Sequence, residues 1–146
     1  MEDVMTVNEA QIHHSIEERV IATRNKDINA AALHYANDVL IFDVVGPLQH
    51  KGLDAMKQRL ADWFATFQGT IGFELKDLII IADNNVAFSH SLNHVSGALK
   101  NGGTLSMWWR ETLGWQKLDG QWLVINAHDS VPFDVSTGKG STDLMP

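Results

Sequence analysis

The sequence contains no cysteine, which excludes disulfides, thiolate nucleophiles and cysteine-ligated zinc or iron–sulfur centres. Positive charge is also scarce, since 11 Lys and Arg against 18 Asp and Glu give a net charge of -7. Nucleic acids and anionic membranes bind clusters of basic residues, so neither is expected as a partner. The N-terminus lacks a basic segment followed by an apolar one, and no apolar run approaches the roughly 18 to 20 residues that span a bilayer. These absences predict a cytoplasmic protein.

The length of 146 residues and the hydrophobic content of 45% are typical of one globular domain. We assign this domain to residues 1–132. The polar, glycine-rich residues 133–146 are expected to form a mobile tail or an arm that a partner orders. No glycine-rich phosphate loop is present, so no organic cofactor is expected.

Local patterns predict three helices followed by a long sheet. Asn8 and Gln11 form a possible capping box, and apolar residues then recur at helical spacing. The predicted helices run from about residue 8 to 25, from Asp27 to about 36, and from about 53 to Gly69, with a strand at 39–45 between the last two. Four long strands follow at 71–82, 86–99, 104–118 and 121–131. The expected fold is α+β, with a curved antiparallel sheet wrapped around three N-terminal helices to form a cone.

The loop of the last hairpin decides which side chains share a face of this sheet, because side chains alternate along a strand. A three-residue loop at 118–120 places Arg110 opposite His128 and Thr112 opposite Asn126, with Trp108 on the same face. A two-residue loop instead sets Arg110 against Asp129. The first alternative is preferred because it pairs two polar residues, Lys117 and Gln121, near the end of the sheet.

The opposite face of the hairpin is then strongly apolar. Its residues would be Trp109, Leu113, Trp115, Leu123 and Ile125. An apolar patch of this size is typical of an interface, which predicts a homodimer through the outer face of the sheet.

Several polar residues are predicted to point toward the centre of the protein. Arg19 borders the apolar stripe of the first helix, and Asp43 interrupts an apolar strand. An unpaired buried polar group costs roughly 1–3 kcal/mol, and ions cost more, whereas a domain has only about 5–15 kcal/mol of net stability. We therefore expect a cavity rather than a solid core. Its predicted polar lining is Arg19, Asp43, Arg110, Thr112, Asn126 and His128, and its predicted walls include Trp63, Phe67 and Trp108.

Three stretches of the sequence carry a resemblance to a known superfamily. The segment 16–46 resembles the N-terminal half of ketosteroid isomerase without a gap. The segment 51–55 and the pieces Arg110-Glu-Thr, Asp119-Gly-Gln-Trp and His128-Asp-Ser are similar to SnoaL-like polyketide cyclases. The chain is thus identified as a member of the nuclear transport factor 2-like superfamily, which also includes scytalone dehydratase. The resemblance implies the same cone-shaped α+β roll.

The resemblance also implies roles for individual residues. Asp43 falls on the aspartate that serves the isomerase as general base. The tyrosine that donates a hydrogen bond to the oxyanion falls on Arg19, and the protonated aspartic acid falls near Thr112 or Leu113, where this chain has no carboxyl group. Dehydratases of the superfamily have pocket histidines, which implies an acid or base role for His128.

Together these features predict acid–base chemistry on a small hydrophobic carbonyl compound, of the isomerase, cyclase or dehydratase type. Asp43 would remove a proton, Arg19 or Arg110 would stabilise the oxygen, and His128 would shuttle protons. The alternative is a non-catalytic module of the same fold that binds a small ligand or oligomerises. No metal is expected, because His90 and His94 would lie about 13 Å apart on a strand.

Overall fold

A computed structural model describes residues 4–146. Its first helix, α1 (Val7–Arg24), begins with a capping box in which the Thr6 hydroxyl accepts from Glu9 N and the Glu9 carboxylate accepts from Thr6 N. The capping box predicted at Asn8 and Gln11 is therefore wrong. Because the helix begins earlier, Asn8 already lies in its first turn, and its side chain bonds to distant residues of the sheet.

The other helices are α2 (Ile28–Ala31) and α3 (Leu53–Phe64). Helix α2 is shorter than predicted because the chain enters the sheet early: His34 O accepts from Val124 N, and strand β1 (Tyr35–Phe42) begins with the next residue. Sheet pairing here overrides the helical preference of an alanine-rich segment. No helix in the described part of the chain has the length and apolarity needed to cross a membrane.

Six strands form one sheet in the order β2-β1-β6-β5-β4-β3. The remaining strands of this sheet are β2 (His50–Lys51), β3 (Gly72–Ala82), β4 (Val86–Ala98), β5 (Thr104–Leu118) and β6 (Gln121–Ser130). Strands β3 to β6 form the expected antiparallel meander. Strand β1 instead pairs with β6 in parallel, so the sheet is mixed rather than wholly antiparallel. The segment after the sheet contains a small hairpin of β7 (Phe133–Asp134) and β8 (Lys139–Gly140).

The hairpin of β5 and β6 has a different register from the one preferred from the sequence. Leu118 pairs with Gln121, so the loop has two residues, Asp119 and Gly120, both with positive φ. A register shift between Gly114 and Trp115 then restores pairing of even with even residues along the rest of the hairpin. The result sets Arg110 opposite Ser130 and Thr112 opposite His128.

Along β5, and along β6 on the side of the register shift away from the loop, the two faces of this hairpin are the reverse of those predicted, whereas Trp122 and Val124 on β6 near the loop point inward as predicted. Leu113 and Trp115 are buried in the core, whereas Arg110, Thr112 and His128 are exposed on the outer face. Pairing fixes only which residues share a face, and packing against the helices then selects the apolar face as the inner one. Trp109, Leu113 and Trp115 are therefore core or cavity residues and not part of an outer interface.

Two apolar clusters make up the core. One contains Trp115, Trp122 and Ile12, and the other contains Phe64, Phe67 and Phe73. Members of both clusters line a cavity, which places this cavity between them.

Phe67 belongs to the second cluster, where it is 0% exposed and packs edge-on against Trp63. Replacing it with alanine is expected to lower the free energy of unfolding by about 3–5 kcal/mol, because the change removes buried apolar surface and leaves a void. Urea unfolding of Phe67→Ala and of the milder Phe67→Leu measures this cost. A loss below about 1 kcal/mol for Phe67→Ala would contradict a structural role for this ring.

Candidate functional site

A cavity of about 250 Å³ lies between the helices and the inner face of the sheet. Most of its wall is apolar or aromatic, but five ionisable side chains and one tyrosine also face it. The apolar lining includes Ile41, Val45, Met56, Leu60, Trp63, Val95, Leu105, Met107, Trp109 and Ala127. The polar lining consists of Arg19, Tyr35, Asp43, Arg59, Glu111 and Asp129. This mixture is typical of a site that encloses an apolar ligand and orients it through a few polar groups.

The more deeply buried ion pair of the site joins α1 to β5. Arg19 Nη1 and Nη2 donate to the two carboxylate oxygens of Glu111 at 2.5 and 2.8 Å. The Arg19 side chain is 16% exposed and the Glu111 side chain is 4% exposed. The fork geometry satisfies both oxygens at once, which is what a buried ion pair needs in order to offset its desolvation.

The two partners hold each other ionised. Burial by itself raises the pKa of the Glu111 carboxyl, but the Arg19 guanidinium more than offsets this effect and leaves the pKa well below its usual range. Burial by itself lowers the pKa of Arg19, but the Glu111 carboxylate raises it by more, so the pKa of Arg19 is above its usual range. Arg19 and Glu111 are thus a fixed cation and a fixed anion.

Asp129 on β6 lies directly opposite Glu111, and its pKa shifts in the opposite direction. Burial and the negative charge of Glu111 raise the pKa of Asp129 well above its usual range. One of its oxygens, Oδ1, accepts from the indole Nε1 of Trp109 at 3.0 Å. Of the two facing carboxyls, Asp129 is therefore the one that retains its proton to higher pH, and in its protonated form it can donate a hydrogen bond to Glu111.

Tyr35, at the start of β1, adds a phenol to the same cluster. Burial raises the pKa of this phenol, and Glu111 and Asp129 raise it further, so the hydroxyl remains protonated. The Arg19 guanidinium carbon lies 6.0 Å from the centre of the Tyr35 ring. No residue in the described range 4–146 makes a side-chain hydrogen bond with this hydroxyl, which leaves it as a donor toward the cavity.

Asp43 immediately follows β1 and meets an arginine of α3. Its Oδ1 accepts from Val44 N at 2.6 Å, and its Oδ2 accepts from Arg59 Nε at 2.8 Å. The Asp43 and Arg59 side chains are 16% and 26% exposed, so this pair is more open to water than Arg19 and Glu111. The site therefore holds two ion pairs and one further carboxyl, Asp129, whose pKa is raised.

The structure brings only part of the predicted site together. Arg19, Asp43 and Trp63 line the cavity as expected, whereas Phe67 lies in the core beside it. The expectation that the other predicted residues line the cavity is wrong, because the register of β5 and β6 turns them to the outer face. Those residues are Trp108, Arg110, Thr112, Asn126 and His128.

Contacts on the outer face account for several of these side chains. Trp108 stacks on His94 with 4.5 Å between ring centres, and Arg110 Nε donates to Ser130 Oγ. Asn126 Nδ2 donates to Leu40 O. No group of three or more potential metal ligands occurs among the described residues.

Sequence reasoning missed Tyr35, Arg59, Glu111 and Asp129. A signal for Glu111 was present, because it interrupts an otherwise apolar alternation of Trp109, Leu113 and Trp115 on one face of β5. Arg59 carried no such signal, since it becomes relevant only when α3 packs beside the end of β1.

The α+β fold, with its cavity between the helices and the sheet, is typical of one class of proteins. Comparison with known proteins identifies that class. The model of the SnoaL-like domain matches residues 12–134. The chain therefore belongs to the SnoaL-like family of the nuclear transport factor 2-like superfamily. None of the functionally curated proteins matches the sequence.

Solved structures agree with this assignment. The chain is similar to a nuclear transport factor 2-like protein of unknown function from Pseudomonas putida KT2440, with 32% identity over 99% of this chain and 100% of that one and a TM-score of 0.87. It also shares its fold with a ketosteroid isomerase-like protein from Erwinia carotovora atroseptica SCRI1043, with 20% identity over 86% and 97% of the two chains and a TM-score of 0.73. A superfamily protein from Salmonella enterica serovar Typhimurium LT2 has 16% identity over 91% and 96%, with a TM-score of 0.78.

The raised pKa of Asp129 predicts a specific dependence of stability on pH. A carboxyl whose pKa rises on folding stabilises the protein fully below its unfolded value, near 3.8, and this contribution is lost as pH rises through the folded value. Asp129→Asn keeps a neutral side chain that can donate to Glu111 and accept from Trp109. The advantage of the variant over wild type should grow as pH rises from 4 toward the folded pKa of Asp129, by at most about 1.4 kcal/mol per pH unit.

Urea unfolding at several pH values measures this difference. Asp38→Asn, which removes an exposed carboxylate of β1, controls for the loss of one negative charge. A difference between Asp129→Asn and wild type that stays constant or shrinks with rising pH would show that Asp129 is ionised in the folded protein.

Proposed function

We propose that this protein binds a small hydrophobic carbonyl compound in the cavity and acts on it by acid–base catalysis, as an isomerase, cyclase or dehydratase does. The observation that carries the proposal is the presence in one apolar cavity of two different carboxyl groups: Asp43, which pairs with Arg59, and Asp129, whose pKa is raised by burial and by Glu111. Two titratable groups whose environments give them different protonation states are the requirement for paired acid and base roles.

Asp43 is the base in this proposal. It removes a proton from the carbon next to the carbonyl group, the carbonyl oxygen gains negative charge, and the same carboxyl returns the proton to another position of the ligand. The Arg59 contact holds the Asp43 carboxylate at the wall of the cavity. This role agrees with the resemblance of the segment around Asp43 to ketosteroid isomerase.

Asp129 and Tyr35 are the donors that stabilise the oxygen. Both have a raised pKa, which favours the protonated form, both line the cavity, and neither adds a net positive charge. Neutral donors in a cavity shielded from water stabilise a developing oxyanion strongly, because they are already oriented when the charge appears. In this proposal Asp129 has the role of the isomerase's protonated aspartic acid, which the resemblance placed near Thr112 or Leu113.

Arg19 supports this arrangement and does not bind the ligand oxygen itself. Both of its terminal nitrogens are occupied by Glu111, and this interaction keeps Glu111 ionised. The shuttle role predicted for His128 and the oxygen contact predicted for Arg110 are both withdrawn, since these side chains face away from the cavity.

The charge and size of the cavity favour an uncharged ligand. Arg19 is neutralised by Glu111 and Arg59 by Asp43, so an anionic ligand would have to break an existing ion pair. A cavity of about 150 Å³ accepts benzene. The volume of about 250 Å³ here therefore suits one substituted ring or two small fused rings.

A hydrogen–deuterium exchange assay tests this chemistry without knowledge of the natural substrate. The probe is 2-cyclohexenone in deuterated buffer, and NMR follows exchange at carbons activated by the carbonyl group. We expect the protein to accelerate exchange, Asp43→Asn to lose roughly 100-fold or more of the acceleration, and Asp129→Leu to lose roughly 10- to 100-fold, because a base and an oxyanion donor are removed.

His128→Ala is the matched control, since His128 lies on β6 next to Asp129 but on the outer face. It should exchange the probe at the wild-type rate. Equal rates for wild type and Asp43→Asn would contradict the role of Asp43 as base.

A second candidate function is a non-catalytic binding module. The observation in its favour is that both oxygens of Asp43 already accept hydrogen bonds, from Val44 N and Arg59 Nε. Under this alternative the probe shifts the indole NMR signals of Trp63 and Trp109 in the cavity, while its exchange rate equals that in buffer.

We also propose that the protein forms a homodimer through the outer face of the sheet, with an apolar patch that differs from the one predicted from sequence. Ile81 and Phe88 pair across β3 and β4, and their side chains are 53% and 43% exposed. Ile79 lies beside them on β3 and is 46% exposed. Adjacent exposed apolar side chains on a broad sheet are typical of an interface, and a second copy offers the same patch.

Light scattering coupled to size-exclusion chromatography tests this dimer. Ile81→Arg introduces a charge into the patch and should give a monomer, because a buried unpaired cation is costly. Leu48→Arg is the control, since Leu48 is 94% exposed and lies outside the strands, and it should leave the dimer intact. A monomeric wild-type protein, or a dimeric Ile81→Arg variant, would contradict the proposed interface.

A further inference from the structure

A short chain of hydrogen bonds leads through the interior to Glu111. Asn93, on β4, is 0% exposed, and its Nδ2 donates to Glu111 Oε1 at 3.0 Å. On its other side, Ser91 Oγ donates to Asn93 Oδ1 at 2.7 Å. Ser91 is itself buried and lies directly opposite Glu111 in the pairing of β4 with β5. Neither Ser91 nor Asn93 lines the cavity.

The hydrogen bonds run in the direction that an ionised Glu111 requires, from Ser91 to Asn93 and from Asn93 to Glu111. If the Asn93 amide were rotated by half a turn, its Oδ1 would face Glu111 Oε1, and two acceptors would meet unless Glu111 took up a proton. An ionised Glu111 only accepts hydrogen bonds, so it selects the orientation in which the Asn93 amide donates to it. In that orientation the Ser91 hydroxyl donates to Oδ1 and satisfies the buried amide oxygen.

Donors are distributed unequally over the two facing carboxyl groups. Glu111 receives two N–H groups from Arg19 and one from Asn93, whereas Asp129 receives only the indole N–H of Trp109. A carboxyl that accepts several hydrogen bonds is stabilised as the anion, and its neighbour then retains the proton.

We propose that Asn93, whose amide oxygen is held by Ser91, is a positioning residue that stabilises Glu111 as the anion and so keeps the proton on the facing carboxyl of Asp129. It acts through Glu111 and touches neither the cavity nor a ligand. The position of the proton is a property of the folded chain, while its use in acid catalysis rests on the proposed function.

Carboxyl carbon NMR of the full chain, with Asp and Glu labelled, tests the proposal directly. In the wild-type protein we expect Glu111 at the ionised position at pH 7, and as the pH falls we expect the signal of Asp129 to reach the protonated position before that of Glu111. Asn93→Leu removes the amide donor and should raise the protonated fraction of Glu111 at pH 4 by about tenfold, the effect of one hydrogen bond to a charged group. Ser91→Ala leaves the buried Asn93 Oδ1 without its donor, which loosens the amide, and should give a smaller rise in the same direction.

Ser89→Ala is the matched control, because it removes a buried hydroxyl from the same face of β4 that bonds to Trp115 and not to the carboxyl pair. It should leave the signals of both carboxyls unchanged. If Asn93→Leu does not fold, the small change in Ser91→Ala decides the question.

A protonated Glu111 in the wild-type protein at pH 7 would overturn the proposal, and so would a Glu111 signal that does not respond to either variant. These outcomes are independent of the exchange assay with 2-cyclohexenone. Absence of exchange would contradict the proposed function and would leave the position of the proton unaffected.

Discussion

The ion pair between Arg19 and Glu111 is the interaction on which the site depends. It joins the first helix to the inner face of the sheet, and it is formed by two side chains that are nearly removed from water. A charge in this position is tolerated only when its partner is held in a favourable geometry, so the pair constrains how α1 lies against β5. The constraint extends to Asp129, because a fixed anion opposite this carboxyl disfavours a second negative charge.

The chemistry of the cavity follows from this arrangement of charge. Two arginines are each neutralised by a carboxylate, which leaves a carboxyl and a phenol, both with raised pKa, near the apolar wall. Such a lining combines low net charge with strong hydrogen-bond donors. It differs from an anion-binding site, in which an uncompensated cation would face the ligand. The fold is shared by proteins with several activities, so it is these side chains, more than the roll itself, that support the proposed function.

Errors in the sequence-based site trace to one feature of the sheet. The loop of the last hairpin and a register shift four residues before it both alter the alternation of side chains, and the helices then pack on the apolar face, which leaves Arg110 and His128 on the outer one. The prediction that even-numbered residues of the two strands pair with each other was correct beyond the shift, but it did not show whether the even-numbered or the odd-numbered residues face the helices. The apolar residues Trp109 and Trp115 were read as an interface, although their burial completes the core and the cavity wall.

The sequence by itself determined the α+β class, the order of helices and long strands, the superfamily, and the inward positions of Arg19, Asp43 and Trp63. These features depend on local periodicity, on turn residues and on a contiguous resemblance, all of which can be observed along the chain. Only the tertiary structure decided that Glu111 and Asp129 face each other and that Arg59 meets Asp43. Those contacts join residues that are far apart in sequence or lie on different strands, so they depend on strand register and helix packing. The sequence pattern does not fix the register to within one residue, and a shift of one residue turns every side chain to the other face.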